Sequence, residues 1–195
     1  LTTELLLLDR LSKILRKRRQ ENGSINFEST EVKFILDKNN TPIDVYFKES
    51  LSTNHLIEEF MLLANKTVAK HIGFPKNKAK TFVYRVHDIP DNDRIATLNN
   101  IVKKFGHTIN NTSTNKLSSS LNHLLKNVKG KKEQQMVETL TIRSMAKAVY
   151  TTNNIGHYGL AFDYYSHFTS PIRRYPDLIV HRLLEQYLTG DKLIN

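Results

Sequence analysis

The chain has no cysteine among its 195 residues. That excludes disulfides, thiolate zinc sites and iron–sulfur clusters, and agrees with a reducing compartment. It has no tryptophan, so any stacking on bases falls to its 8 Tyr and 9 Phe. No apolar run reaches the length of about 18 residues that a membrane helix needs, and Leu5–Leu8 is a short stretch inside a charged segment. Clustered acids are also missing. Asp88, Asp91 and Asp93 lie where a helix should start and read as capping residues, and Asp163 and Asp177 stand singly. A two-metal cradle of carboxylates is therefore not visible. There is no H-E-x-x-H pattern, His157, His167 and His181 lack helical spacing, and no G-x-S-x-G frames Ser170 as a nucleophile. No repeat or low-complexity segment appears.

What the chain does have is positive charge. Twenty-nine Lys and Arg against 19 Asp and Glu leave +10, with a pI near 9.7. A polyanionic partner such as nucleic acid fits this balance, although a solubility charge would look the same. Hydrophobic content of 39% is that of an ordinary packed domain.

Periodicity predicts an amphipathic helix over Leu1–Glu21, with Leu5, Leu8, Leu11 and Leu15 on one stripe and Asn22-Gly23 ending it. A chain that opens inside a helix without Met suggests a piece of something longer. A short edge strand at Ile25–Phe27 and a hairpin of Glu31–Leu36 with Ile43–Phe47 follow, one face apolar and available to a helix. Helices are expected at Asn54–Ile72, capped by Thr53 or Asn54, and at Asp91–Phe105, Leu117–Val128 and Glu133–Thr151. A strand is expected at Thr81–Val86, and a closing helix runs to Gly190.

The richest stretch is Gly156–Arg182, centred on His167-Phe168-Thr169-Ser170-Pro171-Ile172-Arg173-Arg174-Tyr175. Ser170 suits a helix N-cap and Pro171 the first helical position. Free N–H groups, the dipole and two guanidinium groups would then meet where a phosphodiester fits. An ordinary capped helix with solvated arginines satisfies the same residues, and the physics alone leaves both open.

The order of motifs resembles the ribonuclease II superfamily, whose members carry the RNB catalytic domain. The resemblance rests on His157-Tyr158-Gly159-Leu160, on Tyr165 through Tyr175, and on Asp177 and His181. It extends to Leu56-Ile57-Glu58-Glu59-Phe60-Met61-Leu62-Leu63-Ala64-Asn65, Tyr84-Arg85-Val86-His87-Asp88-Ile89-Pro90 and Arg143-Ser144-Met145-Ala146-Lys147-Ala148-Val149-Tyr150. Pro176-Asp177-Leu178 is more similar to the ribonuclease R branch.

The resemblance implies residues 1–195 as the C-terminal portion of a single RNB domain, with an α+β fold in which several helices pack on a mostly antiparallel sheet. It implies a processive 3′→5′ exoribonuclease of the cytoplasm that degrades single-stranded RNA to nucleoside monophosphates with magnesium. Arg173 takes the place of the family's catalytic arginine. A glutamate of the second helix would contact the terminal nucleotide, Glu59 preferred over Glu58. Tyr165, His167, Ser170 and Arg174 become phosphate or sugar contacts. The family's magnesium-binding aspartates lie N-terminal to the part resembled, so no metal ligands are assigned within this chain, and the chain alone is expected to be inactive. A non-catalytic RNA-binding relative and a basic scaffold for an acidic peptide are the other readings.

Overall fold

The computed structural model describes residues 1–27, 31–48, 51–74 and 80–190. Helix α1 (Thr2–Glu21) leads to strands β1 (Glu31–Leu36) and β2 (Pro42–Lys48) and helix α2 (Ser52–Gly73). Strand β3 (Tyr84–Val86) precedes helices α3 (Asn92–Lys103), α4 (Thr114–Val128) and α5 (Gln134–Ser144). Strand β4 (Val149–Thr151), a 3-10 turn (Tyr158–Leu160) and helix α6 (Tyr175–Thr189) complete the order. The fold is α+β. The described strands form two antiparallel two-stranded ladders, β1 with β2 and β3 with β4.

Two cores divide the work. One gathers Ile95, Leu98 and Val102 of α3, Leu121, Leu124 and Val128 of α4, and Val137 of α5. These are the i, i+3, i+4, i+7 positions that periodicity marks as buried. Asp91 starts α3, its carboxylate accepting from the Asp93 and Arg94 N–H groups, as its place before the helix suggests. The other core joins Ala69 and Ile72 of α2, Phe82, Tyr84 and Val86 around β3, and Val180 of α6. Packing there is tight: a Cβ on Gly73 would lie 2.5 Å from the Tyr84 hydroxyl and 2.8 Å from the Tyr164 ring. This second core carries α2, α6 and the loop between β4 and α6 as one block.

Several expectations are corrected. Residues Ile25–Phe27 form no strand. The Glu133–Thr151 helix ends at Ser144, because Val149, Tyr150 and Thr151 pair with Val86, Arg85 and Tyr84. The Arg85 guanidinium lies 4.6 Å from the centroid of the Tyr150 ring, so a ladder and a cation–π contact outweigh local helical propensity. Only Tyr84–Val86 of the Thr81–Val86 segment is strand. Helix α2 begins at Ser52, where Asn54 accepts from the Leu51 N–H instead of serving as the cap itself.

The expected hairpin forms, β1 pairing antiparallel with β2, its turn held by Asp37 Oδ1 accepting from the Asn39 and Thr41 N–H groups. Its apolar face does not pack under a helix: Val32, Phe34, Leu36, Ile43 and Val45 are all exposed. Helix α1 packs on α2, yet Leu5, Leu8 and Leu11 are exposed, while Ser12 and Arg19 are its buried residues. The stripe on α1 and the hairpin face are thus not covered by the described residues.

Candidate RNA-end site

The buried stripe of α2 is Glu59, Leu62, Asn65, Ala69 and Ile72. Spacings of three and four put all five on one face. Two of the five are polar, and each has a partner far away in sequence. Glu59, 3% exposed, accepts from Arg19 at 2.5 and 3.4 Å. Arg19 Nη2 also lies 3.5 Å from Glu58, whose side chain is half-exposed. Asn65 Oδ1 accepts from the Phe168 N–H at 2.9 Å, and its Nδ2 donates to the Tyr165 hydroxyl at 3.2 Å.

The loop before α6 differs from the expected elbow. Ser170 does not cap α6 and Pro171 does not open it. The N-cap is Arg174, and Pro176 falls in the first turn. The reason is Asp177, which is fully buried. Its Oδ1 accepts from the Ser170 N–H at 2.8 Å and from Arg174 Nη2 at 2.8 Å, and its Oδ2 accepts from Arg174 Nε at 2.9 Å. This bidentate fork satisfies the carboxylate and folds Ser170–Arg174 into a turn, where the Arg173 and Arg174 N–H groups donate to the Ser170 carbonyl. Farther along α6, His181 Nε2 donates to the Phe168 carbonyl at 2.8 Å and its ring stacks on Phe168 with centroids 4.0 Å apart. The loop is fixed from α2 by Asn65 and from α6 by Asp177 and His181.

These anchors separate the two arginines. Arg174 is held by Asp177, which also raises its pKa. Arg173 is exposed, and its guanidinium has no hydrogen bond or ion pair with the described residues. Beside it Ile172 is fully exposed, at 101%. The buried Thr169 hydroxyl has no partner among the described residues.

A cavity of about 370 Å³ opens between α2 and the loop. Asn54, Glu58, Asn65, Tyr165 and Arg174 supply its polar lining, with Ile57, Met61 and Leu62 as apolar wall. Of the residues singled out from sequence, Glu58, Tyr165 and Arg174 are brought together here. Glu59 faces Arg19, Ser170 and Arg173 belong to the loop, and His167 sits behind Tyr165 with ring centroids 5.7 Å apart, hydrogen-bonded to the Tyr150 hydroxyl at 2.6 Å. Asn65, Asp177, His181 and Tyr150 build the site without having been assigned a role from sequence. A signal existed for Asn65, since an amide on an apolar stripe at spacing three and four must find a buried partner.

Around Tyr165 the electrostatics favour neutral rings. Burial drives His157 down to about 3, with His87 nearby pushing the same way. Burial and then the Arg174 charge drive His167 down to about 4. Both are neutral near pH 7. The unfolded chain, with His near 6.5, binds more protons than the folded chain between that value and these depressed ones. Stability therefore rises with pH through this window and is lost on acidification from about 6.5 toward 3. A fall in melting temperature from pH 7 to pH 4.5 is expected. His157→Asn, which keeps an acceptor for the Leu160 N–H now bonded to Nδ1, should flatten that fall. An unchanged slope would assign it to other groups.

Among the described residues no three His, Asp or Glu side chains could hold a metal ion. Among the described residues the only buried carboxylates, Glu59 and Asp177, are paired with arginine. The described residues do not fit a magnesium cradle. No described helix is long and apolar enough to cross a membrane.

Residues 1–190 match the RNB domain model. The chain is 46% identical over 188 residues to ribonuclease R of Thermotoga maritima, covering 91% of this chain and 25% of that protein. It is 38% identical to ribonuclease R of Aquifex aeolicus, covering 99% of this chain and 27% of that protein. Among solved structures, RNase R of Mycoplasma genitalium in complex with ribose-methylated single-stranded RNA superposes with a TM-score of 0.85 at 31% identity, over 96% of this chain and 29% of that one. The chain spans about a quarter of the length of the curated relatives it matches.

Proposed function

The chain belongs to the RNB domain family, and on that premise we propose that it is the C-terminal portion of the catalytic domain of a 3′→5′ exoribonuclease. The proposed substrate is single-stranded RNA, degraded processively to nucleoside monophosphates in the cytoplasm. The observation that carries this reading is the cavity where Glu58, Tyr165 and Arg174 converge beside the loop bearing the unpaired Arg173. An RNA 3′ end has what such a cavity recognises: ribose hydroxyls for a carboxylate, a phosphate for arginine, and a base for the aromatic and apolar wall.

Within this reading the residues divide by role. Glu58, half-exposed at the cavity, is the better-placed of the two glutamates to meet a ribose hydroxyl, because Glu59 is consumed by Arg19. Arg174 and Tyr165 line the pocket that receives the terminal nucleotide. Arg173 neutralises charge growing on the scissile phosphate. Ser170 and His167 support the loop against the phosphate side. Magnesium dependence belongs to the proposal for the intact protein, with ligands outside this chain, and no step is assigned to the metal here.

The isolated 195-residue chain is expected to show no magnesium-dependent hydrolysis of a 3′-labelled single-stranded RNA, whereas the intact protein degrades it from the 3′ end. Degradation by the isolated chain at the intact protein's rate would overturn this. A non-catalytic RNA-binding relative is the second reading, with which the described residues, holding no metal cluster, agree equally. It predicts RNA binding by the intact protein with no cleavage in magnesium.

A further inference from the structure

Asn65 is 2% exposed and midway along α2, and its amide is oriented by chemistry. The Phe168 N–H can only donate, and it faces Oδ1 at 2.9 Å. Nδ2 is therefore the group turned to Tyr165, 3.2 Å from its hydroxyl oxygen. Toward Asn65, then, Tyr165 can act only as acceptor. Burial raises the Tyr165 pKa, so the phenol keeps its proton. Among the described residues that hydroxyl has no other hydrogen-bond partner. Tyr165 lines the same cavity as Glu58 and Arg174.

We propose that Asn65 is a positioning residue that turns the Tyr165 hydroxyl proton into the cavity, making Tyr165 a donor to an oxygen of the RNA's terminal nucleotide. This rests on the functional reading above and adds the direction of one hydrogen bond to it. The backbone of the Arg173 loop sets the amide, the amide sets the phenol, and the phenol meets the ligand. The position of the loop and the donor pattern of the cavity are thereby tied to one side chain.

Asn65→Asp separates this from a merely structural role. A carboxylate still accepts from the Phe168 N–H, so the loop anchor survives. Its second oxygen now also accepts, which draws the Tyr165 proton out of the cavity. Affinity of the intact protein for a single-stranded oligoadenylate, measured in calcium to suppress cleavage, is expected to fall about tenfold. Tyr165→Phe should cost a similar factor, and the double variant no more than either single change. Wild-type affinity in Asn65→Asp, or additive losses in the double variant, would overturn the proposal. Should Asn65→Asp not fold, Tyr165→Phe decides alone, since its ring packing is retained and unchanged affinity would remove the donor. A wild-type protein that does not bind the oligonucleotide would instead overturn the functional reading, and this inference with it.

Discussion

Arg173→Ala in the intact protein is expected to lower the rate of RNA hydrolysis by about 10³-fold or more, the scale set by arginines that act on a phosphoryl transition state, while changing RNA affinity little. The argument is the contrast with its neighbour. Arg174 has two of its nitrogens committed to Asp177 at 2.8–2.9 Å, so its charge is largely balanced within the protein. Arg173 sits one residue earlier on the exposed side of the same turn, its guanidinium with no partner among the described residues. An uncommitted guanidinium on a rigid loop can gain most where charge develops during reaction. Single-turnover kinetics at saturating RNA would isolate this effect from binding. Arg174→Ala is expected to look different: it leaves buried Asp177 without its cation, loosens the loop, and weakens affinity and stability together. A variant of Arg173 that lost affinity at an unchanged rate would assign it to substrate binding instead.

How far the sequence could carry this is clearest at two places. On α4, Leu117, Leu121, Leu124, Leu125 and Val128 declare a buried face by spacing alone, and all five are in the core. Local periodicity suffices there because each contact is set by the helix itself. At the loop, Ser170-Pro171 has the local chemistry of a helix start, yet α6 begins at Tyr175. The deciding partner, Asp177, is local too, but its burial is not legible until α6 packs on β3 and α2 through Val180. Likewise the Val149–Thr151 strand depends on Tyr84–Val86, some 65 residues away, and no helical pattern within α5 reveals that pairing. In the proposed reading the preference for Glu58 over Glu59 turns on Arg19, forty residues before Glu59. Adjacent residues on a helix point about 100° apart, so one meets Arg19 inside while the other reaches the cavity edge.

That choice yields the second large effect. Arg19→Met is expected to lower unfolding free energy by about 3–5 kcal/mol, because removing one partner leaves the Glu59 carboxylate buried and uncompensated. Glu59 and Arg19 are each nearly inaccessible, at 3% and 8% side-chain exposure, so water cannot substitute for the lost cation. Glu59→Gln should destabilise by a comparable route, stranding the guanidinium against Ser24 and Glu58. Replacing both, as Arg19→Met with Glu59→Leu, should recover most of the loss, since a buried pair exchanged for apolar side chains is often neutral or better. Glu58→Gln, half-exposed, should shift stability by no more than about 0.5 kcal/mol and instead weaken oligoadenylate binding. Urea unfolding and binding measured on the same four variants keep the two carboxylates apart. If Glu59→Gln weakened RNA binding with stability intact, Glu59 would be the ligand contact and Arg19 its counter-ion; if it unfolded the protein while Glu58→Gln spared it, the pair is the bolt between α1 and α2 on which the cavity wall rests.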